Sequence, residues 1–326
     1  MKFVFIPPQN KATRDWAARL MTDCRDMSVV LTETNEEAKT AIVDADAAFG
    51  TVAPEVLAQA QKLRWLQAPH AAPAAGYYYP ALISHPVVVT NFREIYNDHI
   101  SAHIMMYVLN FARGMHRYFH QQIRHEWIPP KEKTGSADET GVLALPEATM
   151  LIVGVGGVGA ETARIASAFG MRVIGIDARR VSAPPGVALL GRPEELDDLL
   201  PQADFVVLTI PHTPATGGLF DAARFARMKK GAYFINIGRG KTTHLDALTA
   251  ALRDGRLAGA GLDVFETEPL PKDHPLWSMP GVFITPHTSG IGPHLNERRY
   301  EVILENARHL IDGTPLRNIV DKKSWY

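Results

Sequence analysis

The stretch MLIVGVGGVG, residues 150–159, constrains the fold more than any other part of the chain. Its apolar half, Met150–Val153, reads as a buried strand, and its glycine half fits G-x-G-x-x-G with Gly154, Gly156 and Gly159. Small residues at helical spacing follow, Ala160, Ala163 and Ala166, and the segment stops near Gly170. Strand, tight turn and helix in that order form the repeating unit of a parallel α/β sheet. Gly154 allows the turn. Gly156 lets the backbone approach a pyrophosphate that any side chain would obstruct, and Gly159 lets helix and strand pack closely. The first helical N–H groups, at Gly157 and Val158, supply donors and the positive end of the helix dipole. Asp177 lies 23 residues after Gly154, at the end of the next strand, where a carboxylate can bond the ribose hydroxyls of a dinucleotide. Asp177 argues for NAD, because it would repel a 2′-phosphate. Arg179 and Arg180 argue for NADP, because guanidinium groups suit phosphate. The balance leans slightly to NAD and leaves the choice open.

The rhythm around this turn sets the fold class. Strands are expected at Met150–Val153, Arg172–Ile176, Phe205–Thr209, Tyr233–Ile237, Gly259–Asp263 and Val282–Thr285, with helices between most of them. Six such strands suit a doubly wound dinucleotide-binding sheet. An earlier α/β series is expected at residues 4–6, 28–32, 47–50, 63–67 and 87–90, with a helix over 11–25. The segment ISAHIMMYVLNFAR, residues 100–113, reads as a well-buried helix that serves either the core or a subunit interface. Residues 128–148 read as an exposed connection and DKKSWY, the last six residues, as a tail.

Composition narrows the functions. A chain of 326 residues suits two domains of about 150 residues each. The formal net charge of −1 offers no basic excess for nucleic acid. The single cysteine, Cys24, excludes an intrachain disulfide framework and a cysteine-rich metal site, so no metal is expected and the setting reads as reducing and cytoplasmic. The apolar run near the N-terminus stops at Pro7 and Pro8, too early for a signal peptide, and no uncharged apolar stretch of 18 residues predicts a membrane span.

Three further segments each put an ionisable residue just past a strand, where open α/β sheets bind ligands: INIGRG at 235–240, GLDVFETEPL at 261–270 and TPHTSG at 285–290. With LRWLQAP and TNFREIYNDHISAH upstream, this ordered set resembles the D-isomer-specific 2-hydroxyacid dehydrogenase family, which includes glyoxylate/hydroxypyruvate reductases. The resemblance is good from about residue 143 to 292 and looser before that. It implies a Rossmann cofactor domain (98–292) inserted into a smaller flavodoxin-like α/β substrate domain (1–97 plus 293–326). It also implies hydride transfer between NAD(P) and a small 2-oxo or D-2-hydroxy acid, a catalytic set of Arg239, Glu268 and His287, and a homodimer. The chemistry agrees with those residue types. His287 can donate a proton to a developing alkoxide near neutral pH, Glu268 can orient its ring, and Arg239 can fork onto a carboxylate and polarise the 2-oxo group. By the same resemblance Thr209, Pro211, Ile237, Gly238, Asp263 and Ser289 join Arg179 among the cofactor contacts, with Asp263 facing the nicotinamide carboxamide.

The family pattern breaks at residues 68–80, APHAAPAAGYYYP. Pro69 and Pro73 lack amide donors, so the amides of His70, Ala71 and Ala72 are the candidate carboxylate binders, and the three tyrosines line a cleft or cap an apolar edge. Two other functions compete. A formate dehydrogenase shares the architecture, but that branch has glutamine where Glu268 stands. A nucleotide-sensing binding protein with little turnover can retain the whole catalytic set.

Overall fold

Runs such as TMLIV at 149–153 and FVVL at 205–208 are apolar on both faces, which a strand tolerates only when both sides of its sheet are covered. In the computed structural model, which describes residues 1–72, 76–130, 134 and 140–325, such runs build two wholly parallel sheets. The chain divides into two compact units, Met1–Ile95 with Gly292–Tyr326, and Tyr96–Ile291.

In the first unit β1 (Lys2–Phe5), β2 (Ser28–Leu31), β3 (Ala47–Phe49), β4 (Trp65–Gln67) and β5 (Val88–Thr90) pair in the order β2-β1-β3-β4-β5. That is the flavodoxin order. The helix Lys11–Asp23 starts on a capping box between Asn10 and Thr13 and buries Trp16, Ala17 and Leu20. The helix Leu295–Asp312 belongs to this unit: Trp16 donates to the Asn296 carbonyl at 3.1 Å and Tyr300 donates to Asp23 at 2.5 Å. Tyr77 and Tyr78 lie buried in the core of the unit, so at least these two tyrosines pack rather than line an open cleft. Pro73, Ala74 and Ala75 lie outside the described residues.

The expected C-terminal tail is docked. Val320 donates to the Val89 carbonyl at 2.8 Å, Lys322 donates to the carbonyls of His85 and Val87, and Trp325 packs against the core. A lysine that caps two loop carbonyls and an indole with apolar partners explain the difference, and neither shows in local composition.

In the second unit β6 (Thr149–Val153), β7 (Arg172–Ile176), β8 (Leu189–Gly191), β9 (Phe205–Leu208), β10 (Ala232–Asn236), β11 (Leu257–Leu262) and β12 (Val282–Ile284) run in the order β12-β11-β10-β9-β6-β7-β8. The expected six strands become seven. The addition, β8, is a three-residue edge strand after a Pro- and Gly-containing stretch, too short to carry a pattern of its own. The connection expected over 128–148 lies partly outside the described residues.

The helix Asn97–Ala112 is a core element. Ile104, Tyr107, Val108 and Phe111 are buried on the second sheet, with Phe111 stacked on Tyr233 at 4.5 Å between ring centroids. The small residues of β11, LAGAGL, are what let this helix come close. A Cβ at Gly261 would stand 2.6 Å from the Tyr107 ring. Gly261→Ala should therefore overpack the core and lower the denaturant midpoint by the equivalent of about 1–3 kcal/mol. An unchanged midpoint would show that the ring can yield.

Candidate active site

Parallel pairing brings the carboxyl ends of β6, β7, β9, β10, β11 and β12 to one edge of the second sheet. The strand order reverses between β6 and β9, and the glycine turn sits at that reversal. Gly154 adopts φ +96, a left-handed conformation that disfavours a side chain, and Thr209, past the end of β9, donates its hydroxyl to the Gly154 carbonyl. A Cβ at Gly159 would meet that same carbonyl oxygen at 2.1 Å. At Gly156 a Cβ would meet nothing within 4 Å, so the turn leaves open space at the start of the helix Gly157–Ala168. That helix has no side-chain cap, so the amides of Gly157 and Val158 keep their donors for an anion. Open space at Gly156 beside an uncapped helix start suits a dinucleotide pyrophosphate.

Asp177 does more than the sequence indicates. Its Oδ2 accepts from the Val155 amide at 2.8 Å, and its Oδ1 accepts from the amides of Arg179 and Arg180 at 2.9 Å each. Arg180 Nε returns to the Val155 carbonyl at 2.8 Å. The carboxylate thus ties the glycine turn to the loop after β7. Arg192 joins the same loop through the carbonyls of Ala178 and Arg180 at 3.4 and 3.3 Å.

The loop after β9 is held by Thr216, whose hydroxyl donates to the Pro211 carbonyl at 2.7 Å. Past β10, Ile237 and Gly238 lead to Arg239. Asn236, buried at 1% exposure, organises this turn: its carbonyl oxygen accepts from Gly238 N at 3.0 Å and its amide donates to the Arg239 carbonyl at 3.2 Å. Sequence reasoning missed Asn236. The available signal was a polar residue closing an otherwise apolar strand, AYFIN. Arg239 donates from Nη1 to the Gly238 carbonyl at 2.6 Å. Burial pushes its pKa down, while the negative charge of Glu268 acts in the opposite direction.

Glu268 and His287 meet side chain to side chain. His287 Nδ1 lies 2.7 Å from Glu268 Oε2, and Glu268 Oε1 accepts from Phe265 N at 2.9 Å. A carboxylate only accepts, so Nδ1 carries the hydrogen and Nε2 is left on the outer side of the ring. The His287 side chain is 48% exposed, open to a substrate. Its backbone sits at φ +54.

Asp263, at the end of β11, is 0% exposed. Its Oδ1 accepts from Thr288 N at 2.8 Å and from the Thr285 hydroxyl at 2.5 Å, and its Oδ2 accepts from Ser289 N at 2.9 Å. Burial alone would raise its pKa; the bonds from Ser289, Thr285 and the two amides outweigh burial and hold the carboxyl below its ordinary value. The carboxylate and Ser289 are therefore turned into the loop rather than displayed at its surface. In the first unit His70 is exposed, and the turn that carries it is anchored by Asn91, which donates to the Ala71 carbonyl at 2.8 Å. No group of three or more His, Cys, Asp or Glu among the described residues could hold a metal ion, and no described helix is long and apolar enough to cross a membrane.

Comparison with known proteins gives a consistent picture. Residues 105–289 match the sequence model of the D-isomer specific 2-hydroxyacid dehydrogenase, NAD binding domain. Glyoxylate/hydroxypyruvate reductase B of Klebsiella pneumoniae is 37% identical over 234 residues, 72% of this chain and 70% of that protein. The structure of a D-isomer specific 2-hydroxyacid dehydrogenase from Xanthobacter autotrophicus, in complex with NADPH and MES, superposes with a TM-score of 0.85 at 28% identity, covering 100% of this chain and 99% of that one. An NADPH-dependent glyoxylate/hydroxypyruvate reductase from Sinorhizobium meliloti does so at 0.80 and 25% identity, again over 100% and 99%.

The Asp263 geometry carries a stability consequence with a definite sign. Its folded pKa is lowered, so the stabilisation is complete above the unfolded value of about 3.9 and is lost as the pH falls through the lower folded value. Asp263→Asn should cost about 1–3 kcal/mol at pH 7, because an amide nitrogen cannot accept from the loop donors. The gap from the parent should narrow below about pH 4. Denaturant titrations at pH 7, 5 and 3.5 check this, and a gap that widens with acid contradicts it.

Proposed function

The chain belongs to the D-isomer-specific 2-hydroxyacid dehydrogenase family, and from that premise we propose that it reduces glyoxylate, hydroxypyruvate or a close 2-oxo acid to the D-2-hydroxy acid with NAD(P)H. The observation that carries this reading is the 2.7 Å pair between His287 Nδ1 and Glu268, at the same sheet edge as the glycine turn.

The residues divide the work as follows. Arg239 presents a planar fork to the substrate carboxylate and the 2-oxo oxygen, and its partial burial strengthens those bonds. When bound, the reduced nicotinamide supplies the hydride to the 2-carbon. His287 gives its Nε2 proton to the oxygen that would otherwise become an alkoxide. Glu268 holds the Nδ1–H, keeps the ring oriented and stabilises the imidazolium before transfer. In the oxidative direction Nε2 takes the hydroxyl proton. The amides of His70, Ala71 and Ala72 are a second proposed carboxylate-binding element. Glu268 argues against the formate dehydrogenase reading, since a formate oxidiser needs no proton relay.

The cofactor preference follows from Asp177. From the sequence this residue leans to NAD. With its oxygens engaged by three amides, and with Arg179, Arg180 and Arg192 around it, its repulsion of a 2′-phosphate is offset. We infer that NADPH is accepted alongside NADH. We also infer a homodimer formed through the second unit, where Phe119, Ile123, Trp127 and Ile128 expose apolar surface, Trp127 at 96%. Sedimentation as a monomer at micromolar concentration would contradict the dimer.

A panel of 2-oxo acids with NADH and NADPH, followed at 340 nm, tests the main reading. Turnover of glyoxylate or hydroxypyruvate is expected, with kcat/KM for the two cofactors within about 10-fold, or roughly 1.4 kcal/mol. Tight cofactor binding with no turnover of any acid favours the sensor reading instead. His287→Ala should lower kcat by roughly 100-fold or more while leaving cofactor binding intact.

A further inference from the structure

A line of buried and half-buried polar groups runs from the helix Asn97–Ala112 to the loop that carries His287. Tyr107 OH lies 2.6 Å from Thr285 Oγ1, and His103 Nε2 lies 3.0 Å from the same oxygen. Thr285 in turn donates to Asp263 Oδ1 at 2.5 Å. The two rings meet edge to face, with centroids 4.9 Å apart and planes at 87°.

The direction of every bond follows from the carboxylate. Asp263 only accepts, so the Thr285 hydrogen points to it. The two lone pairs of Thr285 Oγ1 are then left to accept, one from the Tyr107 hydroxyl and one from His103. That assigns the His103 hydrogen to Nε2. Burial lowers the His103 pKa and keeps the ring neutral, while burial raises that of the Tyr107 phenol and keeps its proton in place. Every hydrogen in the line therefore points towards Asp263, with no donor facing a donor.

The far end of the line is a strained residue. His287 has φ +54, and a non-glycine residue held in the left-handed region costs about 1–2 kcal/mol. It persists because Asp263 grips the loop on both sides of it. The side-chain oxygens take Thr285 before His287 and the amides of Thr288 and Ser289 after it, and the Asp263 carbonyl takes the His287 amide at 2.9 Å.

We propose that His103 and Tyr107, acting through Thr285 and Asp263, are positioning residues that hold His287 in its left-handed backbone conformation and so aim its ring at Glu268 and at the substrate. This rests on the assignment of His287 as the proton donor. His103 and Tyr107 stand two to three turns into the helix, and Tyr107 lies in the core on the second sheet. Among the described residues Thr285 is the hydrogen-bond partner of both the Tyr107 hydroxyl and His103 Nε2, and the relay accounts for both.

The test compares Thr285→Val, Tyr107→Phe and His103→Leu with the conservative Thr285→Ser and His103→Gln, which keep the hydroxyl and an N–H donor. Two readouts are taken. The first is the downfield imidazole proton resonance of the His287 Nδ1–H bonded to Glu268, assigned by its absence in His287→Gln and recorded without substrate. The second is the steady-state split of kcat and KM. The relay predicts that Thr285→Val and Tyr107→Phe weaken or shift that resonance and lower kcat roughly 10- to 100-fold, with KM and cofactor binding nearly unchanged. Thr285→Ser should restore both readouts. In a His287→Gln background Thr285→Val should have no further effect on the residual rate. A resonance and a kcat that survive all three disruptive variants overturn the relay. Should the parent protein turn over no 2-oxo acid, the catalytic reading fails, and the resonance still decides whether these residues hold His287.

Discussion

Parallel pairing is the constraint on which the rest of the second unit depends. A parallel sheet points every strand the same way, so every carboxyl end emerges on one edge. Because β6 begins two diverging series, β7-β8 on one side and β9-β10-β11-β12 on the other, that edge divides into two halves. The glycine turn and Asp177 follow β6 and β7. Arg239, Asp263 with Glu268, and His287 follow the consecutive neighbours β10, β11 and β12. Chemistry spread over residues 154 to 287 is gathered within the spacing of adjacent strands, about 4.8 Å each.

Three acidic residues in this unit, Asp177, Asp263 and Glu268, organise backbone. Asp177 accepts three amides and ties the glycine turn to the arginine-bearing loop. Asp263 accepts two amides and a hydroxyl and holds the loop around His287. Glu268 accepts the Phe265 amide with one oxygen and orients the His287 ring with the other. At Asp263, which is buried, and at Asp177, which is half-buried, fixed N–H donors replace lost hydration, which both stabilises the charge and fixes the loop. Preorganisation of this kind lets short loops, rather than helices or strands, carry the accurately placed pair of Glu268 and His287.

The glycine pattern of β11 shows how packing serves the site at a distance. Small residues at 259 and 261 let Phe111 and Tyr107 lie directly on the sheet. Only with the helix that close does the Tyr107 hydroxyl reach Thr285 at the neighbouring strand's end. The closeness of one helix to one sheet thus decides whether a polar relay exists, and a larger residue at 261 would be felt both in stability and at His287.

Much was readable from the chain alone where the signal is local. The glycine turn, the apolar strands around it, and the ordered segments bearing Arg239, Glu268 and His287 all carry their own patterns, because a strand end and a tight turn demand particular residues at particular spacings. Other features have no local pattern. The edge strand β8 is too short to show one, the docking of residues 320–325 depends on carbonyls some 235 residues away, and the inward turn of Asp177 and Asp263 depends on which amides lie nearby. Sequence therefore determined the residue types, their order and the class of fold. Tertiary structure decided which backbone amides the oxygens of Asp177 and Asp263 accept from, and which side chains meet at Thr285. Hydrogen-bond direction and burial arise only when segments far apart in the chain come into contact.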